Sequence, residues 1–464
     1  MINLGGGRME TKNDFKQGSV AINIIKLAVP MTVAQLINVL YSVVDRIYIG
    51  RMPEEGQVAL TGLGLTFPII TIVIAFANLV GMGGAPLSSI ERGKGNNEVA
   101  EKVIGNSFTM LLGLGILLTL IGLLVKKPVL YLFGASEITF PYADSYARIY
   151  LLGTAFVMLG LGLNSYINAQ GFAKVGMLSV ILGAVINLVL DPIFIYLFKM
   201  GVEGAAWATV ISQGCSCIWI LRFLTGPQTI LKLKTKNMKL EQAIVTRILG
   251  LGSSGFAMAI TNSSVQIVCN ATLSLFGGDL YVGAMTVINS IREVIMIPVQ
   301  GLTNGAMPVI SYNYGAKAYK RVKKGIEFST LICILYTTFA WAMIYFFGSF
   351  FIKIFNNEAK LVRIANPALM VYFFGFFMMS FQFAGQSTFV ALGKSKQAVF
   401  FSIFRKVIIV VPLTLLLPRI GYGVMGVFIA EPVSNFIGGM ACYITMLLLL
   451  RKELKGKQDM QVFS

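Results

Sequence analysis

The chain has 464 residues, 56% of them hydrophobic and 12% charged, with a net charge of +18. Soluble domains carry roughly 25% charged residues, so this balance excludes a water-soluble globular protein. The basic residues occupy short gaps between apolar runs rather than an aromatic-studded patch, which excludes nucleic acid as their partner.

Residues 1–8 (MINLGGGR) carry no apolar core behind a basic residue and are not a signal peptide. The Gly-Gly-Gly-Arg run before Met9 has the look of a translated ribosome-binding stretch, so Met9 rather than Met1 is the expected natural start. Beyond it, apolar windows of about 18 to 25 residues recur about twelve times, each able to cross a hydrocarbon layer of about 30 Å. The first three are read at 22–49, 58–90 and 103–125, the next three at 142–171, 176–198 and 202–224. Residues 225–247 (TGPQTILKLKTKNMKLEQAIVTR) are the longest polar and basic stretch and read as a cytoplasmic linker.

After the linker the pattern restarts. GMGGAPLSSIERGKGNNEVAEKVIGNS from Gly81 matches GLTNGAMPVISYNYGAKAYKRVKKGIEFS from Gly301, and the stretch from Gly171 through NLVLDP matches the one from Ala391 at about the same offset, as expected of a duplicated transporter. The predicted fold is all-α and polytopic: twelve transmembrane helices in two pseudo-symmetric six-helix bundles. The predicted organisation is an amino-terminal segment 1–21, a first lobe 22–224, the linker 225–247, a second lobe 248–450 and a tail 451–464. Six helices per half makes the repeats parallel, with a cavity between them that can open to either face in turn. Lys and Arg counted over alternate gaps give about 24 on the side of both termini and about 8 on the other, which predicts both termini cytoplasmic in a bacterial inner membrane.

The five cysteines lie inside apolar runs without CxxC spacing, and the chain contains no His. Zinc sites and His-based catalysis are thereby disfavoured, and no Walker A pattern is found. No cofactor and no enzymatic activity are expected.

An ionisable side chain at the bilayer centre costs at least about 2.5–3.5 kcal/mol and asks for a reason. Asp45 falls toward the end of the first window, and Asn187 and Asp191 lie one turn apart in the fifth, so the latter two share a face. Pro192 frees a carbonyl of the preceding turn. Such an oxygen-rich pocket suits Na+ or a proton. The competing reading is that Asp45 pairs with adjacent Arg46 and that Asp191 marks a helix end. In the second half Val411-Pro412 replaces Asp191-Pro192, so the acid site is asymmetric while the bend is shared. Glu293 and Glu431 are the remaining acids in apolar windows, each read either as locally paired or at a helix end, or as binding substrate. Gln266 and Asn270, Glu293 with nearby Met296, and Met378 and Gln382 in FFGFFMMSFQFAGQ form a candidate substrate cavity, with helix packing and lipid-facing aromatics as the competing explanation.

The opening LAVPMTVAQL, the paired second and eighth helices, and NLVLDP together resemble the multidrug and toxic compound extrusion (MATE) family over essentially residues 22–450. The resemblance implies export of cationic or lipophilic small molecules across the bilayer by a monomer, driven by Na+ or H+. It also implies a cation site at Asp45, Asn187, Asp191 and Thr209 with a backbone ligand at Ala205. Pro30, Tyr41 and Asn164 match positions tied to helix bending or protonation. The carboxyl-lobe acids of another branch are replaced here by Gln266 and Gln382. Two alternatives remain: a lipid-linked oligosaccharide flippase, for which Arg46, Arg148, Arg292, Arg405 and Lys406, mostly read near helix ends, are the available cations; and, remotely, an intramembrane enzyme.

Overall fold

The computed structural model describes residues 13–53 and 55–462, with side chains to Glu453. The question of Met1 or Met9 lies outside the described residues. The first half comprises α1 (Val20–Gly50), α2 (Gly56–Gly93), α3 (Asn97–Leu132), α4 (Phe140–Leu152), α5 (Thr154–Ala169), α6 (Ala173–Pro192) and α7 (Gly201–Thr225). The second comprises α8 (Gln242–Gly277), α9 (Asp279–Gly315), α10 (Tyr319–Phe355), α11 (Ala359–Tyr372), α12 (Met379–Ala391), α13 (Ser395–Ile403), α14 (Val411–Leu416), α15 (Met425–Ser434) and α16 (Met440–Val462). Among the described residues there is no strand.

Among the described residues ten helices or joined helices are long and apolar enough to cross a bilayer, and two bent pairs, α4–α5 at 57° and α11–α12 at 46°, bring the number to twelve when each is taken as one span. Both bends have local causes. At Gly153, between α4 and α5, an added Cβ would stand 2.5 Å from a Val210 methyl, so the corner rests directly on α7. At Gly375 the backbone is left-handed (φ +63) and the Phe436 ring fills the space a side chain would need. Outward-facing apolar side chains such as Leu124, Leu132 and Phe346 are largely exposed, a surface that only lipid can cover.

Among the described residues four π-helical turns, Ile193–Leu197, Phe404–Val410, Pro418–Tyr422 and Asn435–Gly439, occur in the transmembrane spans. The first follows Pro192 and the second precedes Val411-Pro412, so each half has a widened turn beside its proline. Where a tail was expected from residue 451, α16 continues as helix to Val462.

The linker is tied to the first half rather than loose. Buried Gln170 accepts hydrogen bonds at Oε1 from Thr229 Oγ1 (2.8 Å), Ile230 N (2.9 Å) and Leu231 N (2.7 Å). Asn106 Oδ1 accepts from Glu241 N at 2.7 Å, and Lys234 pairs with Glu101 at 2.6 Å.

The halves meet on the face that carries the amino-terminal segment and the linker. A Cβ on Gly83 would stand 2.1 Å from the Ile248 carbonyl oxygen, and one on Gly252 would stand 1.7 Å from that of Leu79, so α2 and α8 cross backbone to backbone. Gly93 against Tyr312 and Gly315 against Ile90 repeat the arrangement between α2 and α9. Arg247 of α8 donates to Glu91 of α2 at 2.9 Å. Phe15 is fully buried there, with Tyr312 at 5.8 Å between ring centroids and the Arg92 guanidinium 5.2 Å from its ring. Arg321 clamps this segment by donating to the carbonyls of Phe15, Gln17 and Gly18. Ile24, Leu27 and Ala28 of α1 belong to the second half's core, so α1 is shared between the bundles.

Candidate functional site

The first half gathers the acids that the sequence singles out. Asp45 (α1), Asn187 and Asp191 (α6) and Thr209 (α7) are all buried, at no more than 9% exposure, although they come from three helices. Asn187 and Asp191 share a face because they are one turn apart, and the Asn187 side-chain amide donates to Asp191 Oδ1 at 3.3 Å and to Thr209 Oγ1 at 3.5 Å. The carboxyl groups of Asp45 and Asp191 lie within hydrogen-bonding reach of each other. Asp45 Oδ1 and Asp191 Oδ2 are buried without a hydrogen-bond partner among the described residues. Ala205 is fully buried one turn before Thr209.

The alternative pairing of Asp45 with Arg46 does not form. Successive residues on a helix diverge by about 100°, and Arg46 turns to the exposed side, its guanidinium 4.6 Å from the centre of the Phe67 ring. Asp191 is not at a loose helix end either, since the π-helical turn continues the chain past Pro192.

Three residues that the sequence reading passed over complete the surroundings. Tyr146 (α4) lies beside Thr209, and Tyr41 lies beside Ser42 and Gln213. Gln213 follows Thr209 by one turn, and that spacing in an apolar helix was the available signal.

A cavity of about 190 Å³ opens between the halves, walled by Asn38, Asn78, Asn164, Asn168 and Asn304 together with Met31, Met82, Met177 and Met307. A smaller space bounded by Asn38, Tyr41, Asn164 and Gln213 adjoins it and leads toward the acids. Asn164 donates to the Gly176 carbonyl at 3.1 Å and to Ser179 Oγ at 3.2 Å, bracing α5 on α6. Pro30 is buried in α1, one residue before Met31.

The residues expected to form a substrate cavity are not brought together. Gln266 and Glu293 are exposed, and Asn270 and Met378 are half-buried. Met296 is packed in the second half's core. Gln382 is turned inward, its amide donating to the Phe401 carbonyl at 3.2 Å and to Gln386 at 3.1 Å, so it joins helices. Amides and methionines do line a cavity, but they come from α1, α2, α5, α6 and α9. Arg405 and Lys406 also differ from expectation: they are buried inside the second bundle, because a π-helical turn rather than a helix end carries them. Glu431 is paired with both, and so is not merely a helix-end acid.

Comparison with known proteins agrees with this architecture. The chain is 23% identical over 94% of its length to a multidrug export protein, MepA, of Staphylococcus saprophyticus, of which 95% is covered. Its fold superposes on a MATE structure in a bent conformation with a TM-score of 0.90 at 22% identity, covering 97% of this chain and 99% of that one. An outward-facing multidrug resistance MATE transporter gives a TM-score of 0.88 at 22% identity, covering 97% and 100% respectively. The MatE family model matches twice, at residues 30–193 and 255–416, one match for each half. The chain therefore belongs to the MATE family of membrane transporters and is not an enzyme.

Proposed function

We propose that this protein exports cationic or lipophilic small molecules in antiport with inward-moving Na+ or H+, which binds at Asp45 and Asp191. The observation that carries the reading is the acid pair itself. Two neighbouring carboxylates withdrawn from water, each with an unpartnered oxygen and no basic side chain between them, call for a cation or a proton to balance their charge. Asn187, Thr209 and the Ala205 carbonyl supply neutral oxygens of the kind a hard cation takes. The methionine and amide walls of the adjoining cavity suit varied flat cations, since Met repacks readily around different shapes. The relatives named as multidrug export proteins support the same substrate class.

The halves are joined on the face of the amino terminus and the linker, which the excess of Lys and Arg assigns to the cytoplasm. We read this arrangement as the outward-facing state. Binding at Asp45 bends α1 near Pro30, closes the space around Tyr41 and Gln213, and displaces the substrate outward. A potential of about 100 mV supplies about 2.3 kcal/mol per inward charge, so one coupling cation sustains a gradient of nearly two decades.

The test is dye efflux in everted vesicles with Na+ and pH gradients imposed separately. Asp191→Asn is expected to insert normally and to lose efflux under either gradient. Unchanged dye export by this variant refutes the mechanism.

A further inference from the structure

The second half contains a buried charge cluster that the coupling site does not use. Arg405 and Lys406 are 5% and 3% exposed, and Glu431 is 4% exposed. Arg405 Nη1 donates to Glu431 Oε1 at 2.9 Å and to Asn435 Oδ1 at 2.6 Å, and Lys406 Nζ donates to both Glu431 oxygens at 3.2 Å. Half-buried Arg292 of α9 lies close enough to interact with Glu431 and Tyr372, and its own Nε is buried without a hydrogen-bond partner among the described residues.

The placement follows from local geometry. Consecutive residues of an ordinary helix point about 100° apart, and the widened turn Phe404–Val410 lets Arg405 and Lys406 both reach Glu431. The internal repeat adds a second argument. Aligning Gly204 with Gly426 sets Glu431 at the position of Thr209, so the cluster occupies the second bundle's counterpart of the cation site, with its polarity inverted.

Two guanidinium groups and the Lys406 amine face one buried carboxylate, and the further acid acting on Arg292, Glu293, is exposed, so positive charge is left in excess in a low-dielectric interior, where incompletely balanced charge is costly. We propose that this cluster binds a carboxylate group, with Arg292 and the Arg405–Lys406 pair as its donors and Glu431 as the resident competitor. The guanidinium fork matches a planar carboxylate. A bulky diphosphate head is a poorer fit, because the donors are nearly enclosed. The binding claim stands on this geometry, and only its consequence for export rests on the antiporter reading.

The test uses the purified full-length protein and isothermal titration with benzoate and its neutral counterpart benzamide. Saturable binding of benzoate alone is expected. Lys406→Met should weaken it about tenfold or more, and Glu431→Gln should tighten it by removing the competitor. Equal responses to benzoate and benzamide, or none, overturn the proposal. So does a Glu431→Gln variant that loses stability without binding benzoate more tightly, because the ions then form a purely structural network. In proteoliposomes, export of para-(aminomethyl)benzoate but not of its methyl ester assigns the carboxylate to a substrate. Binding of both carboxylates without export assigns it to a free anion. Asp191→Asn should retain benzoate binding while losing dye export, so failure of the antiporter reading leaves the anion site separately testable.

Discussion

Replacing Gly252 with Ala is the sharpest probe of how the halves separate. The added methyl would lie 1.7 Å from the Leu79 carbonyl oxygen, whereas ordinary contact begins near 3.4 Å, so α2 and α8 must move apart by half of that. Backbone cannot rotate out of the way as a long side chain can, and overpacking of this kind costs about 1–3 kcal/mol. If the inward-facing state parts α2 from α8, that cost falls on the outward-facing state alone and shifts the equilibrium by about 5- to 150-fold. Spin labels at Thr225→Cys and Lys396→Cys, both exposed near the joined face, report the change in a background with the five native cysteines replaced. The expected result is growth of a long-distance population in pulsed electron double resonance. A distance distribution identical to that of the parent protein refutes the assignment of this crossing as the closed gate.

Arg247→Gln should act in the same direction but more weakly. Its side chain is 48% exposed, so the pair with Glu91 contributes at most about 1 kcal/mol, a shift of roughly fivefold or less in the same measurement. Gly84→Ala should lower the melting temperature, since its Cβ would lie 1.7 Å from the Tyr166 hydroxyl. Adding Tyr166→Phe, which removes that oxygen and its bond to Ser107, should restore about 1 kcal/mol or more, and simple additivity of the two losses would count against the packing argument. Arg321→Gln should speed amide exchange across residues 13–19 by removing the donors to Phe15, Gln17 and Gly18, with the melting temperature little changed; equal protection in the variant would show that Phe15 burial alone holds the segment.

The acid pair was legible because polar residues in apolar windows stand out and because Asn187 and Asp191 keep a one-turn spacing, whereas Thr209 came from the family resemblance and Gln213 was passed over. Helix number was legible for a similar reason: each window matches the thickness of a bilayer. The bends at Gly153 and Gly375 were not, since either glycine could equally serve close packing within a straight helix. Helices apolar on all sides carry no stripe that reveals which face looks inward, so the sequence reading could not distinguish Gln382, which joins helices, from Asn304, which lines the cavity. Arg405 and Lys406 were misread for a more specific reason. They were read near a helix end, and nothing in FRKVIIV announces the widened turn inside the bundle that brings both to Glu431.

The glycine seam between the halves has a kinetic consequence. Contacts between backbones have short reach: a radial gap of 0.5–1 Å already forfeits a quarter to a half of the attraction, and the half-exposed Arg247–Glu91 pair that could span a partial opening is weak. Gly83 with Gly252, and Gly93 with Tyr312, therefore hold fully or hardly at all. Half-open intermediates gain little from this seam, and the transition between faces is expected to snap rather than creep, which limits the time in which both sides of the membrane could be connected.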